Sequence, residues 1–163
     1  MSDLLTTVKP YLDQYGYWAL FGAILLEDFG MPVPGETLLI ASAFLASQGE
    51  MHLVPLLLIA CVAAVTGDNI GYAIGRFGGR KLVLRYGHYV LISEKRLQKA
   101  EGFYRRYGGA VVVMARFFAV LRQLNGIVAG TTKMSWRRFL LYNVLGAALW
   151  VSFWTMLFYE VKK

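Results

Sequence analysis

The stretch "LLEDFGMPVPGETLLI", Leu25–Ile40, decides how the rest of the chain is read. One apolar run stops at Leu26, and a second begins at Leu38. Between them stand two prolines, two glycines and three acids. Pro32 and Pro34 supply no backbone donor and disfavour helix in the residues before them. Gly30 and Gly35 open backbone conformations closed to other residues. The stretch therefore shapes a non-helical tip, with Glu27 before it and Glu36 near the start of the following helix. At membrane depth, irregular backbone persists only where it is buried in protein or lines a wet cavity, because lipid satisfies neither N–H nor C=O groups. A polar loop outside the membrane fits the same residues, so the motif alone leaves two readings open.

The rest of the chain favours the membrane. Of 163 residues, enough for a single domain, 57% are hydrophobic, and the mean hydropathy is +0.48, above the range usual for a soluble domain. Glycine-rich helices pack closely in bilayers, and tryptophan and tyrosine sit at their interfaces; the chain has 17 glycines, 4 tryptophans and 10 tyrosines. The single Cys61 lies in "LVPLLLIACVAAVT" and reads as a packed thiol, which leaves the redox compartment undetermined. No basic segment leads into an apolar core at the start, so a cleaved signal peptide is not expected. Leu4, Leu5, Val8, Tyr11 and Leu12 instead recur at helical spacing, predicting an interfacial helix over 1–14.

Segment lengths then constrain the topology. Residues 139–158 form an uncharged run of about 30 Å as helix, enough to span. Residues 53–75 are also long enough, although they carry Asp68 and Asn69. The pieces 15–26, 37–48 and 110–121 each give only about 18 Å of helix and cannot cross alone. Between Arg76 and Arg106 lie nine Lys or Arg against Glu94 and Glu101, a local excess of +7. The positive-inside rule places that segment, 76–106, on the cytoplasmic side. Within it, Leu97, Ala100, Phe103, Tyr104 and Tyr107 recur at helical spacing behind a cap at Ser93, predicting a basic amphipathic helix on the inner leaflet. A second basic cluster, Lys133, Arg137 and Arg138, stays on the same side only if 107–130 dips in and returns. By the same logic 15–48 is a hairpin opening to the outer side.

The fold expected is therefore an all-α, polytopic membrane protein. It has two oppositely oriented re-entrant hairpins, each followed by a spanning helix as an inverted repeat, together with amphipathic interfacial helices.

Glu27, Asp28, Glu36, Asp68, Arg116 and Arg122 all sit in or beside apolar segments. Each charge at bilayer depth costs about 2.5–3.5 kcal/mol. Six uncompensated ones would approach about 20 kcal/mol, more than the roughly 5–15 kcal/mol net stability of a fold. They must pair, protonate or face water, and a shared internal cavity provides for all three. Arg116 and Arg122 lie about 120° apart on a continuous helix, but a bent tip brings both to one place. Guanidinium forks suit phosphate oxygens and keep their charge, which makes the pair an anion clamp or, alternatively, structural partners of Glu27, Glu36 and Asp68. Asp68 reads equally as a buried hydrogen-bonded acid or a proton carrier. Gly67, Gly71 and Gly75 recur every four residues as a smooth face for helix packing.

The segments "EDFGMPVPGE", "GDNIGYAIGR", "ARFFAVLRQLNGIVAG" and "NVLGAALW" resemble, in this order, the DedA family, whose shared region is called the VTT or SNARE-associated domain. The likeness covers roughly residues 10–155. It implies re-entrant hairpins and movement of lipids between leaflets: undecaprenyl phosphate or phosphatidylethanolamine in bacterial members, phospholipid scrambling in eukaryotic relatives. It also implies that the acids of the first hairpin, here Glu27 and Glu36, and the arginines of the second, here Arg116 and Arg122, are functional. Asp28 stands where relatives often have an amide-type residue. Many relatives have a proline soon after the first arginine, where this chain reads "RFFAVLR". Family members also usually continue through another spanning helix beyond the point where this sequence stops at "FYEVKK".

"GRFGGRK" lacks the spacing of a phosphate loop and reads as the end of a spanning helix. His52 and His88 have no ligand at metal spacing, no cofactor motif is present, and no nucleophile elbow suggests an enzyme. The basic residues lie beside hydrophobic segments, which favours anionic lipid over nucleic acid as partner. The expectation is a bacterial inner-membrane lipid transporter acting on a phosphate-bearing lipid. Protons would couple through Glu27, Glu36 and Asp68, and a homo-oligomer is compatible. The rival is a proton-coupled small-cation antiporter using the same carboxylates.

Overall fold

The computed structural model describes residues 16–28, 33–87 and 93–160, and its described part is helical throughout with short connections. The expected interfacial helix over 1–14, the hairpin-shaping Gly30 and Pro32, and His88 lie outside the described residues.

Helix α1 covers residues 16–28 and α2 covers Gly35–Ser47. Each is about 20 Å long, short of a hydrocarbon core. Pro34 occupies the N-cap of α2 with extended-side backbone angles, where its missing N–H costs nothing, and Gly35 and Glu36 open the helix. After a tight turn at Gly49 (φ +82°) the chain enters α3, Leu53–Ala73. One wide turn, Ile74–Gly78, continues it before Gly79 (φ +71°) redirects the backbone into α4, Gly79–Gly87. That positive φ interrupts regular α-helix within "GRFGGRK".

Helix α5, Glu94–Tyr107, begins where Ser93 accepts a hydrogen bond from the Arg96 N–H, an N-cap that satisfies one of the first free donors. Leu97, Ala100 and Tyr104 are buried as its spacing predicts, but Phe103 and Tyr107 are turned outward. Helix α6, Gly109–Met114, is a bare turn and a half. A 3₁₀ turn at Ala115–Phe117 and an extended Phe118 separate it from α7, Ala119–Thr131. The last described helix, α8, covers Trp136–Glu160. The helical runs Leu53–Arg85 and Trp136–Glu160 are long and apolar enough to cross a bilayer.

Packing is reciprocal. Helix α2 lies chiefly on α8, and α7 lies chiefly on α3. Leu20, Ile24, Leu39, Leu56, Ala60, Ala64, Ala147 and Trp150 form one apolar core, while Tyr72, Leu97, Tyr104, Val112, Val128 and Phe139 form a second. The α3 run and α7 approach closely enough that a side chain at Gly75, Gly126 or Gly130 has no room, while one at Gly71 would make ordinary contact. A Cβ at Gly71 would rest 3.4 Å from the Ile127 nitrogen, and one at Gly75 would collide with the Ile127 carbonyl oxygen. Gly126 and Gly130 on α7 meet the α3 backbone in the same way, at Asp68, Tyr72 and Gly75. Gly67 serves a different neighbour: its Cβ would lie 2.6 Å from the Leu25 carbonyl oxygen and 3.0 Å from the Asp28 Cβ. It lets the end of α1 press against α3.

Candidate functional site

The site is assembled from four segments distant in sequence. The last described residues of α1 are Glu27 and Asp28. One carboxylate oxygen of Glu27 accepts the Glu36 N–H at 2.9 Å, so the side chain lies over the N-terminus of α2. Unsatisfied N–H groups and the positive end of the helix dipole favour a carboxylate there. Gly35 makes room for it, since a Cβ would lie 2.5 Å from Glu27 Oε2 and 3.0 Å from the Ala23 carbonyl oxygen. Gly35 thus admits a carboxylate at the start of α2.

Opposite these acids stand Arg116 and Arg122. The extended Phe118 (φ −117°, ψ 119°) breaks the helix between them and removes the offset a continuous helix would impose. Arg116 is fully buried. Its Nη1 donates to Asp28 Oδ2 at 3.1 Å and its Nη2 to Asp68 Oδ2 at 2.5 Å, and Nη2 also donates to Asn143 Oδ1. Arg122 donates through Nη1 to Glu36 Oε2 at 2.8 Å and through Nη2 to Glu27 Oε1. Its Nε lies 3.9 Å from Asp28 Oδ1, in ion-pair range, and its guanidinium stacks 5.1 Å above the Trp150 ring. The six charged residues set in or beside apolar segments, Glu27, Asp28, Glu36, Asp68, Arg116 and Arg122, thus meet in one place, with Asp28 between the two arginines.

The sequence missed the neutral ring around this cluster. Asn125 Nδ2 donates to Asp68 Oδ2 at 3.4 Å and to the Val112 carbonyl at 3.1 Å. The buried Tyr104 hydroxyl donates to Asn125 Oδ1. Burial, reinforced by the Asp68 carboxylate, pushes the Tyr104 phenol well above its usual range, so it remains a neutral donor. Asn143 also donates to the Val65 carbonyl at 3.4 Å. Gly146 leaves space for Arg116, whose Cδ and Nε would lie 3.4 and 3.5 Å from a Cβ there. Asn125, Asn143 and Gly146 fall inside the quoted "ARFFAVLRQLNGIVAG" and "NVLGAALW", and Tyr104 inside α5, but uncharged residues carry no penalty large enough to single them out.

The expectation of a hydrated pocket needs correcting. Side chains close over the cluster: Glu27, Asp28, Asp68, Arg116 and Arg122 are all buried, and only Glu36 reaches the surface, with 28% of its side chain exposed. Close ion pairing replaces water as the means of neutralising the charges. It does so incompletely, because four carboxylates face two guanidiniums. Among the described residues, Asp28 Oδ1, Asp68 Oδ1, Arg116 Nε and Arg122 Nε also have no hydrogen-bond partner.

The family profile described as the VTT domain matches residues 33–160. An uncharacterized membrane protein of Synechocystis is 38% identical over 155 residues, covering 95% of this chain and 71% of its own length. The protein named DedA of Escherichia coli K12 is 35% identical over 150 residues, covering 87% of this chain and 68% of its own length. Undecaprenyl phosphate transporter A of Bacillus subtilis is 27% identical over 150 residues, covering 92% of this chain and 74% of its own length. No solved structure matches.

Proposed function

Because the chain belongs to the DedA family of VTT-domain membrane proteins, we propose that it moves a phosphate-bearing lipid between leaflets. Arg116 and Arg122 would receive the phosphate, and Glu27, Glu36 and Asp68 would hold those arginines when the site is empty. The observation that carries this reading is the buried meeting of two guanidiniums with four carboxylates. Such a cluster is a weak way to stabilise a fold, since a well-packed apolar replacement is often as stable or more so. Its chemistry suits exchange: a phosphate can take the place of a carboxylate on a guanidinium fork without changing the geometry of the donors. The unpartnered Nε atoms of both arginines are further donors for it.

The surplus of carboxylates supports proton coupling. Protonating Glu36 or Glu27 weakens their hold on Arg122 and frees it for phosphate, linking phosphate capture to proton uptake. The short α1–α2 and α6–α7 pairs are read as re-entrant hairpins entering from opposite faces of a bacterial cytoplasmic membrane, with α3 and α8 spanning. The reciprocal packing of α2 on α8 and α7 on α3 supports an inverted repeat of that kind. The relative named undecaprenyl phosphate transporter A makes a polyprenyl phosphate the first substrate to test.

The test is leaflet transfer of labelled undecaprenyl phosphate, with phosphatidylethanolamine in parallel, in proteoliposomes of the purified chain. Arg116→Ala and Arg122→Ala should each abolish transfer; wild-type rates in both would refute the clamp. The surplus negative charge also favours the small-cation antiporter as a second reading. Cation-driven proton flux with no lipid movement would establish that alternative.

A further inference from the structure

Away from the buried cluster, α5 and the α6–α7 elbow enclose a groove of about 410 Å³, lined by Ala100, Phe103, Tyr107, Met114, Phe118 and Leu121 with their neighbours. Phe103, Tyr107, Met114 and Phe118 are all among the exposed large hydrophobic side chains. Together they make an outward-facing apolar surface beside the α6–α7 elbow.

The groove shares a wall with a second hollow of different character. Tyr104 and Tyr107 belong to both, and the second, about 310 Å³, is walled by Arg105, Arg106, Thr132 and Arg138. Its cations come from two elements. Arg106 lies 5.4 Å over the Tyr107 ring. The Arg138 guanidinium, from the first turn of α8, lies across Gly108, where a Cβ would come within 2.6 Å of Nη2. Gly108 has φ +62°, so that position favours glycine twice over. Arg105 shares Glu101 with Arg80, at 3.8 and 3.1 Å respectively. Among the described residues no carboxylate pairs with Arg106 or Arg138.

A hydrocarbon slot that shares its tyrosine wall with a basin of three guanidiniums is complementary to an amphiphile with an anionic head. We propose that this composite groove binds an anionic membrane lipid. Its headgroup phosphate lies among Arg105, Arg106 and Arg138, and one chain lies along Phe103, Tyr107, Met114 and Phe118. A free phosphate would leave the apolar half empty. A second copy docked symmetrically on this face would bring the arginine basin against its own image, and like charges oppose that contact. Only a lipid uses both halves at once. The site is separate from the buried cluster, although the shared wall residue Tyr104 links to it through Asn125 and Asp68.

The experiment uses the full chain in nanodiscs of phosphatidylcholine containing a minor fraction of phosphatidylglycerol with a photoactivatable group in its chain. Nanodiscs with equally labelled phosphatidylcholine serve as the comparison. Cross-linked peptides are mapped by mass spectrometry, and yield on residues 103–118 is normalised to yield on the exposed apolar face of α8 at Leu141–Leu149. The phosphatidylglycerol probe should be enriched on 103–118 by roughly tenfold over phosphatidylcholine. Arg106→Gln combined with Arg138→Gln should remove the enrichment, because each basic residue near an anionic headgroup is worth roughly a fivefold preference. Met114→Trp, which fills the slot and leaves the basin intact, should lower yield from both probes. Equal labelling by the two lipids, or enrichment that survives loss of both arginines, would overturn the proposal. Protection of 103–118 from both probes in a cross-linked dimer would also overturn it, in favour of a second copy. Occupancy is measured without reference to transport, so this result and the leaflet-transfer result can fail independently.

Discussion

Arg116 is held by three groups on three helices, Asp28, Asp68 and Asn143, and a planar fork is the only cationic side chain that reaches all of them. Arg116→Lys keeps the charge but cannot span the two aspartates and the amide. It should cost about 2 kcal/mol or more, approaching the roughly 3–5 kcal/mol of removing one partner from a buried pair. Thermal unfolding in a fixed detergent checks this, and an unchanged midpoint would mean that charge alone suffices. Tyr104→Phe isolates a neutral member of the ring: it strands Asn125 Oδ1 and should cost about 1–3 kcal/mol in the same assay. At this scale the charged half of the site was legible and the neutral half was not. A carboxylate or guanidinium in an apolar segment demands a partner because its desolvation cost is large. Asn125, Asn143 and the Tyr104 hydroxyl make smaller demands, and Tyr104 fits an apolar helix face equally well. Asp28 was visible as a charge, but nothing in its spacing announced that it would sit between both arginines.

Among the elements, glycine separates packing from mere tolerance. At Gly75 a methyl group would strike the Ile127 carbonyl oxygen, with the Thr131 nitrogen 3.1 Å away, and neither backbone can move without shifting α7. Gly75→Ala should destabilise by about 1–3 kcal/mol, as overpacking usually does. Gly102 sits mid-helix in α5 with nothing within 4 Å of the added methyl, so Gly102→Ala should stabilise by about 0.5–1 kcal/mol through helix propensity. Opposite shifts of the two melting curves are expected; shifts of the same sign would show that the α3–α7 approach is not what glycine serves. The four-residue spacing of Gly67, Gly71 and Gly75 reveals a packing face but cannot name the helix that fills it. That Gly67 faces α1 while Gly71 and Gly75 face α7 depends on where two distant chain segments come to rest. The α5 cap at Ser93 and the buried Leu97 were readable because both are local. The brevity of α6 was not, because "AVVVMARFFAV" is apolar apart from Arg116 and carries no local signal for the 3₁₀ turn at Ala115–Phe117 or the extended Phe118.

For the molecule as a whole, the decisive contacts join residues 27–36 to residues 116–122, so the cluster ties the first half of the chain to the second. Local pattern could establish an all-helical membrane chain, but a closed cluster in place of a wet pocket emerges only when both halves are docked. That closure sets the expected pH response. With every group ionised the cluster carries two more negative than positive charges, so acidification adds protons to carboxylates that currently accept from the arginines. Glu36 is the carboxylate of the cluster that reaches the surface, and it accepts one bond from Arg122 Nη1. Its protonation removes an ionic acceptor and leaves Arg122 freer to take phosphate. Leaflet transfer should therefore quicken as pH falls, up to the point where the fold itself loses its pairing. Glu36→Gln mimics the protonated state and keeps the side chain's shape. It should transfer lipid at neutral pH at a rate near the wild type's acidic one, with a flattened pH profile. Measuring both proteins across the same pH series in proteoliposomes decides the matter: an unflattened profile would place the proton elsewhere in the cluster, on Glu27 or Asp68.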